Sequence, residues 1–152
     1  MADATTPLTK APWHLWVVGV ISLLWNAIGA FDFTMTQLEN TAYLKAAGMT
    51  NVQLEYIYGF PLWAVLAWGV ATWGSLLGSV FLLMRRAWAV RANQAVLVGM
   101  ALTFTHNFLL TDGLKIMSPE GKGPLVFTGI IVLIGVLLLG YALSMRKRGV
   151  LR

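Results

Sequence analysis

The chain contains no cysteine. That excludes disulfides, thiolate metal sites and cysteine nucleophiles together. Charge is also scarce, at 11% of residues against 58% hydrophobic. Soluble domains run at about 25% charged and about 45–50% apolar. Mean hydropathy is +0.72, and a water-soluble globule of this size could not cover so much apolar surface. Histidine occurs only twice, at His14 and His106. Neither begins an H-x-x-x-H or H-x-x-E pattern, so no spacing suits zinc. There is no P-loop, no G-x-S-x-G and no G-x-G-x-x-G, which removes the common phosphate, hydrolase and dinucleotide signatures. Stretches such as "VVGVISLL" do not alternate in polarity, as barrel strands would.

What remains is apolar helix. A membrane-crossing helix needs about 20 mostly apolar residues. Four stretches qualify: Trp13–Met35, Phe60–Met84, Trp88–Leu110 and Leu125–Met145. The first is too long for a signal-peptide core, and no small-residue cleavage pattern follows it. The 152 residues suit one domain. The expected fold is an all-α membrane protein: a four-transmembrane-helix bundle with short helices in the first outer loop, about 36–59.

Basic residues set the orientation. Lys10, Arg85, Arg86, Arg91, Arg146, Lys147, Arg148 and Arg152 fall on one side, against Lys45, Lys115 and Lys122 on the other, eight to three. Both termini and the middle turn are therefore expected in the cytoplasm. This placement accounts for the net charge of +5 better than a nucleic-acid partner does. In the outer loop, Thr36 with Glu39 and Thr50 with Gln53 each fit a capping box. Gly48 is placed to close the first short helix. The second outer loop, "TDGLKIMSPEGKGP", reads as irregular.

Spacing then assigns helix faces. Gly19, Ser22, Asn26, Gly29, Phe33 and Thr36 recur at intervals of three and four, which puts them on one face. Most are small or polar, as helix–helix contacts in membranes prefer. Ala64, Ala67, Ala71, Gly74 and Gly78 form a similar seam in the second span. Its G-x-x-x-G could serve dimerisation, but packing within the bundle is the plainer reading. Ala92, Val96, Gly99, Thr103 and His106 repeat the pattern in the third span. The fourth is almost wholly aliphatic and is expected to face lipid or a partner.

Asn26, Asp32, His106 and Asn107 are the candidate polar site. Asp32 and His106 both approach the outer face, about 28 Å and about 27 Å along their helices at 1.5 Å per residue. Ionisable groups inside a membrane are costly and are usually paired or functional. Asp32 is also close enough to the span end to mark only the water interface. Asn26 lies deeper, where an interhelical hydrogen bond is its commonest role. His14 and His106 are expected at opposite membrane faces, so one subunit cannot place both on one haem iron. No catalytic residue, metal site or cofactor is expected.

"LLWNAIGAFDF", "GFPLW", "GSVFLLMRRAWAV", "HNFLL" and "RKRGVLR" resemble, in order and over nearly the whole chain, a bacterial family of small four-helix inner-membrane proteins often labelled "sugar transporter". The resemblance implies a multi-pass protein of the bacterial cytoplasmic membrane, and the label implies transport. It supplies no catalytic or sugar-binding residues. Two roles follow as expectations. One is a non-enzymatic structural or accessory subunit, its partners being the lipid bilayer and other membrane subunits or a second copy. The other is a small-solute, sugar-like transporter or channel component acting as an oligomer.

Overall fold

The computed structural model describes residues 9–119, 121 and 123–152; Lys122 lies outside them. The described residues are helical, with no strand among them. The helices are α1 (Trp13–Gln37), α2 (Thr41–Ala46), α3 (Asn51–Tyr58), α4 (Leu62–Leu83), α5 (Trp88–Phe104), α6 (Gly113–Met117) and α7 (Gly123–Lys147). A π-helical segment, Thr105–Leu110, continues α5. Three helices, α1, α4 and α7, are long and apolar enough to cross a membrane. The expected third span is not one regular helix: α5 covers 17 residues before the wider π turn takes over.

Proline sets two helix starts. Pro12 and Pro61 precede α1 and α4 in extended backbone, where the missing N–H costs nothing. The long helices pack in the row α1, α4, α5, α7. Close approach of α4 and α5 depends on glycine. A Cβ on Gly99 would lie 2.6 Å from the Ala67 carbonyl oxygen. One on Gly78 would lie 2.9 Å from Asn93 Nδ2. The second-span seam thus packs inside the bundle, with Ala71 and Gly78 buried and Gly74 half-buried.

On α1, Gly19, Ser22, Asn26, Phe33 and Thr36 are buried as their spacing predicts. Gly29 departs from the pattern. It is exposed, and a Cβ there would meet nothing within 4 Å. It borders a cavity instead of packing on a helix.

The end that carries Arg85 and Arg148 is closed. Leu15, Leu82, Ala89, Val90, Ala142 and Met145 form a core there with Val150 and Leu151. The segment after α7 folds back under the bundle. Arg152 N donates to Arg85 O (3.0 Å), and Ala87 N donates to Arg152 O. The Arg85 guanidinium reaches Val150 O (3.2 Å) and Thr9 O (2.5 Å).

At the other end the first expected capping box does not form. α1 runs on to Gln37 and absorbs Thr36, whose hydroxyl donates to Asp32 O (2.8 Å). Asn40 caps α2 in its place, accepting from Tyr43 N at 3.1 Å. Gly48 follows α2 at φ +92°, a conformation that favours glycine. The Thr50–Gln53 box is formed in both directions. The second loop holds a short helix, α6, which the Gly- and Pro-rich sequence did not predict. Lys115 Nζ lies 2.8 Å from Asp112 Oδ1 there. The hydrogen bond, then the charge, holds the Asp112 carboxyl below its usual range and the Lys115 ammonium above its own.

Candidate functional site

Away from the basic end, the long helices separate around a cavity of about 760 Å³. That size is typical of small-molecule sites. α1 presents Trp25, Asn26, Gly29 and Asp32 to it, and α4 presents Trp68, Thr72 and Ser75. Residues of α2, α3 and α6 cover its end, and α7 supplies an aliphatic and aromatic wall. Trp25 and Phe127, with ring centroids 6.2 Å apart, bring α1 and α7 together at one point of the rim.

Asn26 is 9% exposed. Its Nδ2 donates to Ser75 O (3.1 Å) and to Ser79 Oγ (2.9 Å) on α4. Both amide hydrogens are spent on the helix contact, which leaves Oδ1 as the group available to the cavity. Asp32 stands further along α1, half-buried. The Tyr43 hydroxyl donates to its Oδ1 at 3.3 Å. Partial burial, then the Asp32 charge and that hydrogen bond, hold the Tyr43 hydroxyl above its ordinary ionisation range.

Asn107 also faces the cavity, from the π segment. Tyr56 donates to Asn107 Oδ1 at 2.8 Å, and the Tyr56 oxygen lies 2.7 Å from Thr111 Oγ1. Gly113 allows this junction, since a Cβ there would overlap the Tyr56 hydroxyl.

His106 is not part of the lining. It is 5% exposed and sits among Phe60, Trp63 and Tyr56, with ring centroids at 4.5, 5.5 and 6.3 Å. Its Nδ1 is 3.3 Å from Asn107 Oδ1. No hydrogen bond joins it to Asp32 among the described residues. Equal depth in two helices fixes height but not direction. Adjacent residues of a helix point in different directions, so Asn107 faces the cavity while His106 faces the aromatic box. His14 is near the basic end, with Nδ1 2.6 Å from the Tyr141 hydroxyl.

The structure therefore brings Asn26, Asp32 and Asn107 to one cavity and sets His106 behind it. Tyr43 and Tyr56 are hydrogen-bond partners of the site. Ser75 and Ser79 were missed as partners of Asn26. Their four-residue spacing, one helix from a deep asparagine, is the signal that could have found them. No group of three or more His, Asp or Glu side chains arranged to hold a metal occurs among the described residues. Thr72 and Ser75 donate their hydroxyl hydrogens to carbonyls of their own helix, so neither is paired with a base.

Comparison with known proteins finds no matching family model, no matching curated protein and no matching solved structure. The site has to be read from its own chemistry.

Proposed function

We infer that the chain is a four-span protein of a bacterial cytoplasmic membrane, with both termini inside, that holds a small apolar or amphiphilic molecule and does not transform it. The cavity of about 760 Å³ between the diverging helices is the observation that carries this reading. α5 and its π extension together supply the fourth crossing, since Trp88–Leu110 remains helical throughout. The eight-to-three division of basic residues supplies the orientation.

The lining favours binding over chemistry. It offers no paired nucleophile and base. Thr72, Ser75 and Thr103 donate their hydroxyl hydrogens to carbonyls of their own helix, and Tyr43 and Tyr56 donate theirs to Asp32 and Asn107. It also suits a ligand less polar than a sugar. Aromatic and aliphatic side chains dominate it, and most hydroxyls of a carbohydrate would lose water without gaining partners. Transport of a less polar solute remains compatible with the same site.

A role as an accessory subunit has its own support. α7 packs broadly on α5 alone and leaves Val126, Leu133 and Leu137 exposed. In a bilayer those side chains meet lipid or another subunit.

Native mass spectrometry after gentle extraction tests the binding role. The wild type should retain a small molecule that Gly29→Leu, which extends a side chain into the cavity, releases. Equal retention by both proteins, or none by the wild type, would count against it. Migration within a larger native complex in the same extract would support the accessory role.

A further inference from the structure

We propose that the cavity takes an organic cation: an apolar, ring-sized body carrying one positive charge, with that charge held at Asp32. The proposal rests on the cavity being a binding site, and adds the ligand's chemical class.

Three observations converge on it. Among the described residues, Asp32 is the one formally charged side chain in the lining. Among the described residues the ion pair is Lys115–Asp112, so Asp32 has no cationic partner there. Among the described residues its carboxylate receives a hydrogen bond from Tyr43 only. A carboxylate in such surroundings is costly unless paired.

Secondly, eight lining side chains are aromatic, including Trp25, Tyr43, Trp68 and Phe127. Ring faces attract a cation, and more strongly where water is excluded. They offer nothing comparable to an anion. Thirdly, the volume is far larger than a bare metal ion needs, and no cluster of carboxylates or imidazoles among the described residues would coordinate one. A bulky organic cation satisfies the carboxylate and fills the apolar space together. A neutral ligand would fill the space and leave Asp32 unpaired. An anion would add a second negative charge beside it.

Two probes of nearly one shape and opposite charge make the test: tetraphenylphosphonium and tetraphenylborate. Neutral triphenylphosphine oxide is the third. Binding is measured by equilibrium dialysis to the full chain in phosphatidylcholine nanodiscs, after subtracting uptake by empty discs. The wild type should favour the cation over the anion by about tenfold or more. Asp32→Asn should remove that preference while leaving neutral binding in place. Gly29→Leu should weaken all three.

Equal binding of cation and anion by the wild type would overturn the proposal, and needs no variant to fold. So would a preference that survives in Asp32→Asn. Neutral binding that Gly29→Leu blocks, without charge preference, would leave the cavity as a site and refute only the cation. Absence of all binding would refute both.

Discussion

Asn26 and Asp32 occupy one helix, yet they do different work. Asn26 ties α1 to α4 through both amide hydrogens. Polar contacts of this kind in membranes average about 0.6 kcal/mol and reach about 1.7. Asn26→Ala should therefore lower unfolding stability by about 1 kcal/mol. In a double-mutant cycle, Ser79→Ala should cost less on the Asn26→Ala background than alone, because the shared bond is already gone. Additive losses would separate the two residues. Tyr43 carries a second prediction at this scale. Its hydroxyl pKa is raised, so the hydrogen bond to Asp32 is fully present below the ordinary tyrosine range. It is lost as pH rises through the higher folded value. In an ultraviolet titration, Tyr43→Phe should remove absorbance that otherwise develops at the alkaline end of the tyrosine transition. Asn26 was legible in the sequence because a deep polar side chain on a small-residue face has few other uses. Tyr43 was not, since an interfacial tyrosine needs no partner to be favourable.

At the scale of the helix, small residues have opposite meanings on different faces. Gly99 and Gly29 sit in seams that look alike in sequence. Gly99 lets the α4 backbone come close, and a methyl there would strike the Ala67 carbonyl. Gly29 has open space beside it. Gly99→Ala should destabilise by about 1–3 kcal/mol through overpacking. Gly29→Ala should be neutral or stabilising by up to about 1 kcal/mol from helix propensity. Thermal or denaturant unfolding of the two variants in one detergent checks the contrast, and equal losses would contradict it. Spacing identified five buried positions of six on α1, but a periodic pattern cannot tell a neighbouring helix from a void. The capping boxes show a related limit. Thr50–Gln53 formed where Thr50 stands outside the helix in extended backbone. Thr36 fell inside a helix that ran two residues past its expected end. The π turn had no signature at all, for it differs from an α turn in bond register and not in residue type.

For the molecule as a whole, the helices and the concentration of positive charge at one end could be read from composition and run length. The cavity could not, because its volume depends on how the long helices diverge after meeting at the basic end. The lack of cysteine makes any introduced thiol unique. Thr41 and Arg148 are both exposed, at opposite ends of the bundle. In intact cells a membrane-impermeant maleimide should label Thr41→Cys, and should label Arg148→Cys only after lysis. The reverse pattern would invert the proposed topology.

The folded-back segment at Val150 and Leu151 gives this arrangement a mechanical character. It joins the foot of α7 to the α4–α5 turn, and Arg85 links that joint to Thr9 in the segment before α1. The bundle is built like tongs, riveted at one end. Beyond the rivet, the distal half of α7 touches α1 at the Trp25–Phe127 contact. Residues of both α1 and α7 line the cavity, so on the proposed membrane reading a guest passing between them would come sideways, out of the hydrocarbon.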